Sequence, residues 1–236
     1  LNSSSGMTGG NGGTVNLTSN STITVNSQIQ TSSNDGNRRV SARGGKINLN
    51  SKATNGTAIQ IGSTANLQAL LSAAAPGPGG VVTFKSAGGT VNVNGGTVTA
   101  DRGTIDMRNT GASGKVNLTN PTLSADVVKV GALGNSGVLT IGGGDINANT
   151  MLKLYAGGSN GLINFVANVS LNGNSTKIIS ANTVTIQPNV LVTIGGPNAA
   201  QVYTNHPNYT GFGGVGKGYG TFAGAGAVTI KPGLGN

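Results

Sequence analysis

The chain has 236 residues, only 8% of them charged, and its fourteen Lys and Arg against five Asp give a net charge of +9. This length suffices for one large all-β domain or two ordinary ones, and the positive charge favours acidic partners. The absence of cysteine excludes disulfides and thiolate metal sites, and no apolar run approaches the ~20 residues that a membrane-spanning helix needs.

Residues 1–13 are mostly Ser, Gly and Asn, with little apolar surface to bury. This composition predicts a flexible leader or linker. The chain begins at Leu1 rather than at an initiator Met, and nothing near it resembles a signal peptide. We therefore expect a processed or excised piece of a longer precursor.

From residue 14 to residue 194, a Gly-Gly doublet followed by an alternating apolar–polar segment keeps recurring. Clear copies are Gly12–Leu17, Gly44–Leu49 and Gly88–Val93, and looser copies continue to Phe165. Each copy predicts a tight turn followed by a short strand with one buried face. The predicted inward residues are pairs two positions apart: Val15 and Leu17, Ile23 and Val25, Ile47 and Leu49, Ile59 and Ile61, Val82 and Phe84, Val91 and Val93, Ile105 and Met107, Val116 and Leu118, Ile163 and Phe165, Val184 and Ile186, and Val192 and Ile194.

Strands of this length suit either a β-sandwich or a β-solenoid, and three features favour the solenoid. Asn recurs at one strand position, as expected when coils stack equivalent residues. The inward residues are medium-sized, and Asn-Gly hairpin signals rarely join two alternating strands. We therefore predict a β-solenoid over residues 14–194. At ~20–30 residues per coil it has about eight to eleven coils, and a stacking distance of ~4.8 Å makes it roughly 40–50 Å long.

One segment differs from the repeats. Asn66–Ala75 contains helix-forming residues after a capping Asn, and the Pro-Gly-Pro-Gly sequence at residues 76–79 stops it. We predict one short helix here, as an excursion from the solenoid.

The composition changes over residues 195–236, which are rich in Gly and hold five of the eight aromatic residues. We predict a Gly- and aromatic-rich C-terminal tail with a final strand at Ala227–Ile230. The tail aromatics and the single histidine are the candidate self-association residues: Tyr203, His206, Tyr209, Phe212, Tyr219 and Phe222.

The Gly-Gly-x-Val/Ile-Asn-Leu repeats, the segment Ser175–Ile186 and the tail segment Tyr203–Gly214 resemble the filamentous-haemagglutinin-like family of secreted bacterial surface proteins. The tail is similar to the C-terminal part of large members from environmental Gram-negative bacteria. The resemblance implies a right-handed parallel β-helix, export to the cell surface, and a role in adhesion or fibre formation. The N-terminal secretion domain of that family is not recognisable in this chain.

Catalytic chemistry needs side chains that this sequence does not group together. Polysaccharide-processing enzymes need carboxylates clustered in a cleft, and the nearest pair here is Asp101 and Asp106, on either side of Gly103. His206 stands alone, and residues 211–218 lack the Ser or Thr and the following helix of a phosphate-binding loop. We expect no enzyme activity, no cofactor and no metal, with a polysaccharide-processing enzyme and an ice-binding protein as remote alternatives.

The ends of a solenoid expose unpaired backbone and an open core unless something caps them. Neither terminus of this chain carries an amphipathic capping helix. We therefore expect a non-catalytic extracellular subunit or rod of a bacterial surface fibre, which stacks head to tail on copies of itself. The tail aromatics either dock on a neighbouring subunit or fold back to cap their own solenoid, and both roles stay open.

The alternative function is an adhesin rod that binds anionic polysaccharide or a host surface. The densest cationic group, Arg38, Arg39, Arg43 and Lys46, is the candidate patch for such a ligand. The other cations appear scattered singly, without the long stripe and interleaved aromatics that are typical of nucleic-acid binders. We therefore expect no specific nucleic-acid partner.

Overall fold

The computed structural model describes residues 2–4, 11–33, 43–71, 77–198, 200–211, 214–215 and 218–224. The regular elements within these ranges are all β-strands, with no helix among them, and the strands form two parallel sheets. This architecture confirms the predicted all-β class and agrees with a parallel β-solenoid. The described ranges contain no apolar helix of membrane-spanning length.

The two sheets make three faces, because four long strands each contribute to two of them. The first face consists of β1 (Asn2–Ser4), β4 (Gln28–Ser32), β7 (Asn66–Leu70), the first halves of β10 (Thr97–Asn109), β12 (Thr122–Ala132), β14 (Asp145–Ala156) and β16 (Val169–Ser180), β18 (Leu191–Gly195) and β21 (Thr221–Gly224). The second consists of β2 (Thr14–Ser19), β5 (Lys46–Ser51), β8 (Val81–Ser86), the second halves of the same long strands and β19 (Gln201–Tyr203). The third consists of β3 (Ile23–Val25), β6 (Thr57–Ile61), β9 (Thr90–Asn94), β11 (Lys115–Thr119), β13 (Val138–Gly142), β15 (Leu162–Ala167), β17 (Thr183–Ile186) and β20 (His206–Asn208).

Register shifts separate the two halves of the long strands. In β10 the shift lies between Ala100 and Thr104, and the two halves pair with different strands, β7 and β8. Corresponding shifts occur in β12 and β14. A bulge of this kind bends a strand, which is how one continuous strand turns from the first face to the second.

Equivalent residues recur with a nearly constant period along the second face. Its central register row is Asn16, Asn48, Thr83, Asp106, Lys129, Lys153, Lys177 and Gln201. From Thr83 onward these residues are 23 or 24 positions apart, whereas the first two steps are 32 and 35 positions long. Eight strands stacked ~4.8 Å apart make a rod about 35–40 Å long.

The predicted inward pairs form the core of the solenoid. All of these side chains except Leu17 are buried, and they belong to one continuous hydrophobic cluster. Most interior members are fully buried, but Val15, Ile23 and Val25 in the N-terminal coil are 8%, 7% and 6% exposed. The core is therefore less well covered at its N-terminal end.

Asparagine pairs connect adjacent coils on the outside of the strands. The side-chain amide of Asn48 donates to Oδ1 of Asn16 at 2.8 Å, and that of Asn172 donates to Oδ1 of Asn147 at 2.7 Å. Such side-chain ladders form when identical residues stack in register. They account for the recurrence of Asn at one strand position.

The glycines serve two different needs. Gly143 and Gly144 have φ values of 93° and 90°, a left-handed conformation that glycine adopts without steric cost. Gly111 and Gly134 lie at the turn between the second and third faces, where a Cβ on Gly134 would overlap the carbonyl oxygen of Gly111. Here glycine is required because the backbones of neighbouring coils approach too closely for a side chain.

The predicted helix at Asn66–Ala75 is wrong over its first half. Asn66–Leu70 is strand β7, which pairs with β4 on one side and β10 on the other. Its Leu67 and Ala69 side chains alternate into the core, so tertiary pairing overrides the helix propensity of Leu and Ala. Residues 72–76 lie outside the described residues, as does the predicted final strand Ala227–Ile230.

Candidate functional site

The C-terminal end of the solenoid contains two aromatic side chains of the tail. Tyr209 is fully buried and Phe222 is 3% exposed. Their ring centres lie 4.9 Å apart in an edge-to-face arrangement, and Phe222 makes a similar contact with Phe165 at 5.8 Å. These two tail residues therefore pack into the core of their own chain.

The Tyr209 hydroxyl has no hydrogen-bond partner within the described part of the chain. Burial raises the pKa of this phenol from its ordinary value of 10.0 to about 12. The group therefore stays neutral at physiological pH. Its contacts are those of a packing residue.

The other candidate self-association residues lie on the surface or outside the described residues. Tyr203 is half-buried on β19, and its hydroxyl donates to Oε1 of Gln201 at 2.9 Å. His206 is exposed at the start of β20. Tyr219 is 38% exposed, and Phe212 lies outside the described residues. Of the six candidate self-association residues, the structure therefore brings Tyr209 and Phe222 into contact with each other.

The outermost strands at both ends of the solenoid have three or four residues, except for the six-residue strand β2 at the N-terminal end. At the C-terminal end these are the short strands β19, β20 and β21, and β20 contains Pro207. Short strands and proline both make a sheet edge a poor template for further pairing. At the N-terminal end the six-residue strand β2 pairs, among the described strands, with β5 alone.

The predicted cationic patch is described only in part. Arg43 is exposed before β5, and its backbone amide donates to Oδ1 of Asn11 at 3.0 Å. Lys46 is exposed at the start of β5. Arg38 and Arg39 lie outside the described residues.

The aspartates considered for catalysis have separate surroundings. Asp106 forms an ion pair with Arg108, with Oδ2 2.6 Å from Nη2, and its Oδ1 accepts from Nε of Arg108 at 2.7 Å. The hydrogen bond and the charge of Asp106 raise the pKa of Arg108. Asp101 lies in the irregular part of β10, where its backbone carbonyl accepts from the amide of Gly80 at 3.0 Å. No cluster of three His, Cys, Asp or Glu suited to a metal ion occurs among the described residues.

The outer side of the second face carries a feature that the sequence analysis missed. Lys129, Lys153 and Lys177 occupy the same register position on β12, β14 and β16. With adjacent strands ~4.8 Å apart, their backbone positions fall within ~10 Å along the solenoid. We call these three residues the lysine row.

No acidic side chain among the described residues lies within ion-pair distance of the lysine row. The next member of the same register row, Asp106, is the only carboxylate in it, and both of its oxygens are engaged by Arg108. Each lysine is half-buried between its neighbours. Three like charges thus stand side by side on this face.

A second row runs parallel to the lysines, two positions further along each strand. It consists of Arg108, Gly131, Tyr155, Ile179 and Tyr203. Ile179 follows the core residue Ile178 and lies outside the core cluster, yet it is only 4% exposed. Nζ of Lys153 lies 5.4 Å from the centre of the Tyr155 ring. We call Tyr155, Ile179 and Tyr203 the tyrosine row.

The lysine row and Tyr155 border an open groove of about 610 Å³. Gly131 has no side chain, and the Leu133 side chain lies over it, with Cδ2 2.9 Å from the position that a Cβ on Gly131 would take. The charged and aromatic side chains that line it are those of Asp106, Arg108, Lys129, Lys153, Tyr155 and Lys177. Cations and an aromatic ring therefore line the same groove.

The lysine row has a sequence signal that depends on the coil period. Each lysine lies between residues with buried side chains, as in Val128-Lys129-Val130 and Leu152-Lys153-Leu154, and the three are 24 positions apart. The view of these cations as singly scattered is therefore wrong. Recognising the row required the length of a coil, which the irregular spacing of the glycine repeats obscured.

No family model, no curated protein and no solved structure matches this chain. The resemblance to filamentous-haemagglutinin-like proteins accordingly rests on the repeats and the tail of the sequence alone. Two surfaces stand out in the structure: the strands at the ends of the solenoid and the lysine row on its side.

Proposed function

We propose that this chain is a non-catalytic extracellular structural protein, a right-handed β-solenoid that serves as a subunit or rod of a bacterial surface fibre. The observation that carries the proposal is β2, the outermost N-terminal strand of the second face. It has six residues, alternating side chains and one strand partner in the described structure. The sequence resemblance supports the bacterial cell surface as its location.

The N-terminal end offers what a further parallel strand needs. An unpaired strand edge presents backbone donors and acceptors to another chain, and the core behind it is slightly open at Val15, Ile23 and Val25. A second copy that stacks β19, the outermost second-face strand of its C-terminal end, on β2 would extend the hydrogen-bond ladder of this face. Such a head-to-tail contact joins different surfaces of the two copies, so it need not close and can generate a filament.

The aromatic tail contributes to this proposal in a limited way. Tyr209 and Phe222 lie in the core of their own chain, which supports a capping role for these two side chains. The exposed side chains near the same end, Tyr219 and Val215, are 38% and 67% exposed. They are the large hydrophobic side chains of the described tail that remain accessible to a neighbouring copy.

The proposal is tested by placing charges on the edge strand. Val15-Asn16-Leu17-Thr18 in β2 recurs as Val116-Asn117-Leu118-Thr119 in the interior strand β11. Asn16→Lys with Thr18→Lys should raise the protein concentration needed for filament formation at least tenfold, because edge lysines oppose strand addition. The measurement is sedimentation of the polymer over a concentration series, together with electron microscopy.

The matched control is Asn117→Lys with Thr119→Lys, which adds the same charges in the same sequence context away from the ends. It should leave the polymerisation threshold nearly unchanged. Equal inhibition by both double variants would assign the effect to charge rather than to the edge. Wild-type protein that remains as separate rods of about 35–40 Å at all concentrations would refute the fibre proposal.

A further inference from the structure

We propose that the second face of the solenoid binds a linear acidic polysaccharide, with the lysine row contacting its carboxylates and the tyrosine row packing against its sugar rings. This site lies on the side of the solenoid, away from both ends. It is therefore independent of the fibre proposal. It also differs from the Arg38–Lys46 patch that the sequence suggested.

The first step of the argument is the charge of the face. Like charges directly opposite each other on neighbouring strands destabilise a sheet, and here three lysines stand in succession. The carboxylate of their register row, Asp106, is already paired with Arg108. In a chain with so few charged residues, this arrangement is unfavourable unless an anion compensates it. A surface that sacrifices stability in this way is typical of a binding site.

The second step is the direction and spacing of the charges. The lysine row runs along the solenoid axis with one cation per strand, at intervals of ~4.8 Å. A polyuronate chain carries one carboxylate on every sugar ring, and one ring advances the chain by about one strand spacing. A linear chain lying along the axis can thus place successive carboxylates near successive lysines.

The third step is the surface beside the cations. Tyr155 and Tyr203 share one register position with the buried Ile179 between them, so the accessible surface beside the cations is that of the two half-buried tyrosines. The C–H face of a pyranose ring packs on such a surface, while tyrosine hydroxyls bond its polar edge. The groove of about 610 Å³ provides room for a ring between the lysine row and Tyr155.

These features favour a polysaccharide over single-stranded nucleic acid. Nucleic-acid grooves combine cations with aromatic rings on which bases stack face to face. Here the ammonium group of Lys153 lies over the ring of Tyr155, and both tyrosines are half-buried. Among the residues that line the groove, Tyr155 is the one aromatic ring, which suffices for a single sugar ring but not for a run of stacked bases.

The test measures binding of the whole chain to alginate oligosaccharides by calorimetry between about 50 and 200 mM salt. Wild-type protein should bind, with an affinity that falls as salt rises. Lys153→Gln and Lys177→Gln should each weaken binding at least tenfold and lower the slope of log affinity against log salt by about one. Without ligand, Lys153→Gln should melt at a higher temperature than wild type, because it relieves repulsion within the row.

Lys115→Gln is the charge-matched control, since Lys115 is exposed on β11 of the third face. It should bind alginate as wild type does. Neutral dextran and oligo(dT) of similar length serve as ligand controls and should bind at least tenfold more weakly than alginate.

Four results would overturn the proposal. They are no alginate binding by the folded wild-type protein, equal weakening by Lys115→Gln, dextran binding as tight as alginate binding, and oligo(dT) binding tighter than alginate binding. The last result would reassign the face to nucleic acid. Melting curves of each variant establish that a loss of binding is not a loss of fold.

Discussion

Tyr209 carries a hydroxyl group into the hydrophobic end of the solenoid, where no described residue bonds it. A buried hydroxyl without a partner costs about 1–3 kcal/mol. Tyr209→Phe keeps the ring contact with Phe222 and removes this cost. We expect the variant to be more stable than wild type by about 1 kcal/mol, as measured by urea unfolding at neutral pH.

The same residue predicts a dependence of stability on alkaline pH. The pKa of Tyr209 is about 12 in the folded protein, against 10.0 for an ordinary tyrosine, so between these values the unfolded chain releases the proton while the folded chain retains it. Stability from this group is fully present below pH 10 and is lost as pH rises towards 12. Tyr209→Phe should reduce this alkaline loss, whereas Tyr219→Phe, at an exposed position, should not. Parallel alkaline unfolding curves for Tyr209→Phe and wild type would contradict the assignment.

At the scale of the structural elements, the turns depend on backbone-to-backbone stacking. A Cβ on Gly134 would overlap the carbonyl oxygen of Gly111 in the preceding coil, and relieving such an overlap requires a backbone shift that typically costs about 1–3 kcal/mol. We therefore expect Gly134→Ala to lower the free energy of unfolding by that amount. Urea titration followed by circular dichroism measures it.

Gly142→Ala is the control for this prediction. Its added Cβ would meet the nearest atom, Cγ2 of Val166, at 3.3 Å, and that atom belongs to a side chain that can adjust. The loss of stability should be clearly smaller than for Gly134→Ala. Similar losses for both variants would mean that close coil stacking is not the reason for glycine at the turns.

At the scale of the whole molecule, each coil is covered by the next one, and the last coil needs its own cover. A chain that ends at Gly195 lacks β19, β20 and β21 together with Tyr209 and Phe222. Since burying one large apolar side chain contributes about 1.5–3 kcal/mol, we expect this truncation to cost at least 3 kcal/mol and to increase binding of a hydrophobic dye. A chain that ends at Gly224 retains the three strands and controls for shortening.

The outcome of the truncation also distinguishes the two roles of the tail. A chain ending at Gly195 that remains as stable as wild type, but no longer polymerises, would show that the tail serves the neighbouring copy instead of its own core. Loss of stability in the monomer is the result expected from the burial of Tyr209 and Phe222.

Much of the fold could be predicted from local patterns. Alternation of apolar and polar residues identified side chains that are buried in ten of the eleven pairs, and in the remaining pair Leu17 is partly buried against the core. The same reasoning failed at Asn66–Leu70, where Leu and Ala suit a helix equally well and only pairing with β4 and β10 selects the strand. The candidate site was the least predictable part, because alignment of Lys129, Lys153 and Lys177 depends on the exact length of every intervening turn.

The sequence by itself determined the all-β class, the stacked repeats and which side chains point inward, because side-chain alternation is a property of each strand alone. Only the tertiary structure decided which residues lie next to each other on adjacent coils. That register depends on coil lengths that vary from 23 to 35 residues along the second face. This register aligns Lys129, Lys153 and Lys177 in one row and places Tyr209 and Phe222 in the core. Both arrangements depend on contacts between residues that are far apart in the chain.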